Sequence, residues 1–215
     1  MIGRHVMLDI ETLGTRPGSA IMSIAAVAFD FDAGKAVNYS AGDASVGKFM
    51  VTIDLKSNVE AKMQLNASTA LWWMEHEDAL VNWVAAPKVS LSIALDSFTK
   101  YIESLTIEGT DVFIWGNSNR FDMGLMEAAY QALDKKIPWK FRNERDVRTL
   151  VGFAPEIKEA HIKAAKESGQ VLHDPLVDAT LQIAYCVEIY KKLLGIPKDL
   201  KNYPVTKGSH TIESI

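Results

Sequence analysis

An α/β fold, a mixed five-stranded sheet flanked by helices, is predicted by three features of the 215-residue sequence. Three apolar runs of strand length come first, joined by turn-like connections. Apolar residues at helical spacing follow near residue 70, and from there helices alternate with short apolar strands. Strands joined by turns pair antiparallel, whereas strands separated by helices pair parallel, so a three-strand meander should continue into parallel strands.

The first strand is read over residues 5 to 11, His-Val-Met-Leu-Asp-Ile-Glu. Gly and Pro at 14 to 19 supply a turn, and a second apolar run extends from Ile21 to Phe31. A third strand covers about 48 to 55. Ala70, Leu71, Trp73, Met74, Leu80, Val81 and Val84 recur at three- and four-residue spacings, which predicts helix, and a second amphipathic stretch runs from about 90 to 104. Val112-Phe-Ile-Trp115 is a fully apolar strand, followed by a helix from about Arg120 to Leu133. A short strand near 138 to 142, helical segments at about 145 to 151 and 156 to 167, and a long helix at about 175 to 194 complete the pattern. The stretch after Gly195 is rich in Pro, Lys, Gly and Ser, so one domain is expected over 1 to 195 with a loosely held tail at 196 to 215. No repeat or low-complexity tract interrupts the chain. The order of elements is that of the ribonuclease H-like folds.

With 48% hydrophobic residues and 7 prolines, the composition is that of a globular protein with a substantial core. The sequence has no run of eighteen apolar residues and no secretory pattern at its start, so a cytoplasmic protein without membrane contact is expected. The single cysteine, Cys186, excludes an intramolecular disulfide framework and any multi-cysteine zinc site, and its helical setting suggests a buried thiol. Without a signal peptide, the glycosylation sequons at Asn38 and Asn66 carry no weight. A net charge of -4 argues against a protein that coats long nucleic acid. The charge is polarised: residues 1 to 130 hold 9 Lys/Arg against 16 Asp/Glu, and residues 131 to 215 hold 14 against 11. A basic half beside an acidic pocket suits a phosphodiester, although solvated surface lysines explain it equally well.

Three clusters carry the chemistry. Asp9 and Glu11 end the first strand, and residues two apart on a strand share a face, so both carboxylates project to the same side. Trp115-Gly-Asn-Ser-Asn-Arg-Phe-Asp122 follows an apolar strand and opens a helix, which puts Asp122 in the first turn, where the helix dipole favours a negative charge. In His173-Asp-Pro-Leu-Val-Asp178, Asp174 and Pro175 are a good N-cap and first-position pair, leaving His173 just before a helix and Asp178 about one turn inside it. Each cluster alone has an ordinary explanation as a strand end, a helix start or a cap. All three fall at junctions that an α/β sheet can bring to one edge. Oxygen ligands without cysteine select hard cations such as Mg²⁺ or Mn²⁺, and two such ions roughly 3.5 to 4 Å apart can activate water against a phosphodiester. An imidazole beside them supplies a base.

Asp9-Ile-Glu11-Thr, Asn117-x-x-x-Phe121-Asp122 and His173-x-x-x-x-Asp178 resemble, in order and spacing, the three exonuclease motifs of the DEDDh superfamily, which includes polymerase proofreading subunits, oligoribonuclease and ribonuclease T. The resemblance runs from residue 5 to about 190. It implies that Asp9, Glu11, Asp122 and Asp178 hold two metal ions and that His173 deprotonates the attacking water. Thr12 and Leu13 match positions lining the terminal nucleotide's pocket. Asn117, Phe121 and Arg120 are further candidates for contact with substrate, Arg120 through a phosphate. Within the superfamily, Ser68-Thr-Ala-Leu-Trp-Trp73 and Asn119-Arg-Phe-Asp-Met-Gly124 look most like the bacteriophage exonuclease A type and its bacterial exoribonuclease relatives. One of Trp72 and Trp73 should point away from the core, and Trp73 is the candidate base-stacking residue.

A calcium loop starting at Asp30 fails because its twelfth position is Ala41, and no phosphate-binding loop or nucleophile elbow is present. His5, His76, His161 and His210 show no ligand spacing and read as structural or surface residues. The expected activity is 3'-to-5' hydrolysis of single-stranded DNA to nucleoside 5'-monophosphates, with RNA as the close rival substrate. A non-catalytic module binding nucleic acid or a polymerase is the remote alternative. A nucleic-acid 3' end is the expected partner, and a homodimer is an admissible assembly.

Overall fold

The computed structural model describes residues 4–31, 35–36, 47–106, 111–170 and 172–195. The Asn38 sequon, most of the discarded calcium loop and the tail with His210 lie outside them. Strand β1 (Arg4–Thr12) pairs antiparallel with β2 (Ile21–Asp30), His5 facing Phe29 and Glu11 facing Ser23. β3 (Lys35–Ala36) and β4 (Lys48–Ile53) both pair antiparallel with β2, and Thr52 of β4 lies opposite Ser23. β5 (Lys88–Val89) runs parallel to β4, β6 (Val112–Gly116) parallel to β1, and β7 (Glu144–Asp146) parallel to β6. The sheet order is β5-β4-β2-β1-β6-β7, with β3 beside β2. The expected meander and parallel strands are present, in seven strands because two two-residue strands, β3 and β5, are added.

Helices α1 (Leu55–Glu60), α2 (Ala67–Met74), α3 (Glu77–Ala85) and α4 (Leu91–Leu105) precede β6; α5 (Asn119–Ala132), α6 (Val147–Val151), α7 (Pro155–Glu167) and α8 (Pro175–Leu193) follow it. Alternation along β1 divides the core in two. Val6, Leu8 and Ile10 pack with Ile24, Leu95, Phe98 and Met126 on the α4 and α5 side, and Met7 packs with Val27, Trp115, Ile183 and Cys186 on the α8 side. Sandwiched between these layers, β2 is buried along nearly its whole length, which accounts for its unbroken apolar run.

Three expectations shift. The strand expected near 138 to 142 falls at Glu144–Asp146, because buried Trp139 donates to Glu144 Oε1 at 2.8 Å and Phe141–Asn143 form a 3-10 turn. The single helical stretch through Leu71 and Val84 breaks at His76, whose backbone leaves the helical region and whose ring Nδ1 meets the Trp72 carbonyl at 2.8 Å. Helix α1 was not expected; its buried Asn58 bonds both the N–H and the carbonyl of Ile21, tying the helix to the start of β2.

Candidate active site

The three motifs meet on the α8 side of the sheet. Asp9 and Glu11 project from the end of β1, and the Asp9 carboxyl lies near Asp122, Glu11 and Asp178, whose charges act on it. Asp122 is in the first turn of α5 and buried. Its carboxylate packs against Gly116, where an added Cβ would stand 2.7 Å from Oδ2, so glycine is required for that approach. The start of α5 is held from the next strand: Asp146 Oδ2 accepts the Asn119 N–H at 2.7 Å, and its Oδ1 caps α6. Asp174 caps α8 by accepting from Leu176 and Val177, with Pro175 behind it, as the sequence predicted. His173 has φ +66, a left-handed conformation uncommon outside glycine, and its N–H bonds Asp178 Oδ2 at 3.2 Å. Glu11, His173 and Asp178 each offer a ligand atom, all within 4.8 Å of one another.

Crowding these acids out of water is costly. Burial first, then the neighbouring carboxylates, raises the Asp9 carboxyl well above the usual range and pushes Glu11 up to about 9. Burial also raises Asp122 to about 8 and Asp178 to about 6, each partly opposed by backbone hydrogen bonds. Asp9 Oδ1 accepts from Gln182 Nε2 at 2.7 Å, whereas the buried Asp122 Oδ2 has no hydrogen-bond partner. An orphaned carboxylate oxygen among oxygen donors with one imidazole fits a hard divalent cation.

Two cavities open on this cluster, and Glu11 and Trp73 line both. The larger, about 630 Å³, is bounded by Thr12, Thr15, Arg16, Asn66, Ser68, Thr69, Trp72 and Phe121 as well. The smaller, about 180 Å³, lies over β2 and β4. Of the tryptophan pair, Trp73 is buried with its Nε1 donating to the Thr12 carbonyl, and Trp72 is 36% exposed. Trp72 meets the His173 ring edge-on at 4.8 Å and stacks on His76 at 3.8 Å, so His76 belongs to the surroundings of His173. Burial, then His76, lowers the His173 pKa.

Thr12, Phe121 and Trp73 line the larger cavity. Leu13 packs in the core, Asn117 accepts from Arg148 Nε through its carbonyl, and Arg120 is exposed; none of these three lines either cavity. Sequence reasoning missed Gln182, although it stands four residues after Asp178 on α8 and hence on the same helix face. It also missed Asp146 and His76, which reach the site only through tertiary contacts.

Among the described residues no helix is long and apolar enough to cross a membrane. No curated protein matches the chain. The fold is similar to that of the nuclease domain of 3'hExo, a DEDDh family member bound to rAMP, with TM-score 0.55 and 11% identity over 89% of this chain and 93% of that one. It is also similar to cell-death related nuclease 4 (TM-score 0.54, 14% identity, 90% of this chain and 65% of that one). E. coli Exonuclease I in complex with a dT13 oligonucleotide gives TM-score 0.52 and 16% identity over 91% of this chain and 44% of that one. The likeness to the bacteriophage exonuclease A type rests on the sequence motifs alone. The Rv2179c-like family model, a 3'-5' exoribonuclease domain, matches residues 4–190, and the chain belongs to that family of 3'-to-5' exonucleases.

Proposed function

We propose that this chain shortens single-stranded RNA from its 3' end, releasing nucleoside 5'-monophosphates. Asp9, Glu11, Asp122 and Asp178 would hold two Mg²⁺ or Mn²⁺ ions, with His173 as the general base. The observation that carries the reading is the convergence of four acids and one imidazole, with Glu11 lining both cavities and His173 the smaller. The exoribonuclease description of the family favours RNA over the single-stranded DNA that the sequence alone suggested.

The 3'-terminal nucleotide enters the larger cavity, where Trp72, Trp73 and Phe121 offer faces and edges to the base. Held by these carboxylates, the ions would supply an acidified water and an offset for charge on the departing oxygen. His173, held neutral at ordinary pH by its lowered pKa, takes the proton of the attacking water. The water oxygen bonds to phosphorus as the P–O3' bond breaks. The leaving 3' oxygen keeps the electron pair, takes up a proton and becomes the new chain end.

Matched 5'-labelled RNA and DNA oligomers, incubated with Mg²⁺ or Mn²⁺ and with EDTA, test this. RNA should shorten stepwise from the 3' end and stop shortening in EDTA, and His173→Ala should slow the step roughly 10²- to 10⁴-fold. Shortening of DNA alone would overturn the substrate, and undiminished turnover in EDTA would overturn the metal reading.

A further inference from the structure

The smaller cavity is built as a continuation of the acid cluster across the sheet. Glu11, Ser23 and Thr52 stand opposite one another on β1, β2 and β4, so they form one row on one face, running from the carboxylates towards the sheet edge. All three line the cavity, with Ser23 and Thr52 as a hydroxyl floor. One wall is α3, through Asn82, Trp83 and Ala86, and the other is the His173-Asp174-Pro175 turn. Met22, Met50 and Trp73 complete the lining. The Trp83 indole is fixed in place: Nε1 donates to the Met22 carbonyl at 2.9 Å, and Lys88 Nζ sits 4.6 Å from the ring centroid.

An aromatic face, two thioether side chains, hydroxyls and an exposed amide around about 180 Å³ are the chemistry of a nucleobase pocket. Trp73 separates this space from the larger cavity, and Glu11 is common to both. A phosphodiester at Glu11 would therefore have a nucleoside on either side.

We propose that the small cavity over Ser23 and Thr52 is a second nucleotide subsite, which takes the base of the penultimate nucleotide against Trp83 and Asn82. The inference rests on the exonuclease reading above and adds to it that the base 5' to the scissile linkage is bound. The enzyme then grips two nucleotides per cut, one each side of the broken bond.

The test compares hydrolysis of the terminal linkage in two RNA oligomers, one intact and one abasic at the penultimate position. Removal of the intact oligomer's terminal nucleotide by the wild-type protein checks the exonuclease reading separately. The abasic oligomer should have a kcat/KM lower by about tenfold, the loss of one stacked base. Trp83→Ala should bring the ratio of intact to abasic rates close to one. Trp83 also bonds Met22, so Asn82→Ala, on the exposed surface of α3, provides a second variant, expected to lower the ratio by roughly half. Equal rates on the two oligomers with wild type would overturn the proposal, as would a tenfold ratio that survives in Asn82→Ala and in any folded Trp83→Ala.

Discussion

His5 at the beginning of β1, and Asp9 and Glu11 at its end, occupy positions of the same parity and face the α8 side of the sheet together. At the beginning, the imidazole is enclosed. Trp115 Nε1 donates to His5 Nδ1 at 3.0 Å, and the rings of Phe29, Phe31 and Phe113 stand 5.0 to 5.4 Å from it. Burial pushes its pKa down to about 4, so it is a neutral acceptor with its bond made. At the end, like charges are gathered and Asp122 Oδ2 has no partner. One strand thus carries a buried polar group that completes the core and another set that the core leaves incomplete. An incomplete buried set, opening on two cavities, is where an added ligand gains most.

The largest effect that separates the two ends is on turnover. Asp122→Asn keeps the volume but offers a neutral amide where the pocket calls for a charged ligand. It should lower kcat by roughly three orders of magnitude without lowering the melting temperature measured in EDTA, since the amide fills the place of a carboxyl that burial already keeps largely uncharged. His5→Ala should do the reverse. It strands the Trp115 N–H in the core at a cost of about 1 to 3 kcal/mol while kcat of the folded fraction stays unchanged. Loss of turnover in the His5 variant at equal folded fraction would erase the distinction.

Much of this was legible in the sequence, for reasons that differ by element. β1 and β6 are apolar runs whose parity places Asp9 and Glu11 together, and Asp174-Pro175 announces the start of α8, so the distance from His173 to Asp178 follows from local rules. Two-residue strands such as β5 have no period to read, and they exist because a neighbour supplies the ladder. Pro138-Trp-Lys-Phe alternates like a strand, yet Trp139 bonds Glu144 and the pairing falls at Glu144–Asp146 instead. The break between α2 and α3 depends on His76 finding the Trp72 carbonyl and ring, which no propensity reports. The smaller cavity was invisible because Glu11, Ser23 and Thr52 become neighbours only through strand register.

The two ends should also respond to pH with opposite sign. His5 titrates at about 4 when folded and near 6.5 when unfolded, so the unfolded chain binds the extra proton in between. The His5 contribution to stability should fall as pH drops from about 6.5 to 4, by on the order of 3 kcal/mol, read in EDTA as the difference between wild type and His5→Leu. Glu11 and Asp122, raised to about 9 and 8, hold protons that the unfolded chain has released. Their contribution is full below about pH 4, where the unfolded carboxyls are protonated too, and is lost as pH rises from there through 8 and 9. Denaturant melts across this range should show the difference between wild type and His5→Leu changing only between about pH 4 and 6.5, and the loss between about pH 4 and 9 relieved by Mn²⁺. A loss on raising pH that is indifferent to Mn²⁺ would separate the acid cluster from metal binding.

The smallest expected effect concerns a side-chain hydrogen bond at the crowded end. Gln182 Nε2 holds Asp9 Oδ1 at 2.7 Å, fixing the direction of a carboxylate whose other neighbours repel it. Gln182→Met preserves length and apolar packing but removes the donor, so the Asp9 carboxyl is free to turn. Outer partners of metal ligands typically tune affinity or rate by 10- to 100-fold, and a single neutral donor belongs at the lower end, about tenfold. Because the four acids themselves are untouched, the proposed metal role predicts a loss that appears as a higher Mn²⁺ requirement and shrinks at saturating Mn²⁺. A loss that saturating Mn²⁺ leaves intact would assign Gln182 to the reacting groups instead. No loss at all would mean that strand register and the α5 and α8 caps suffice to aim the four acids.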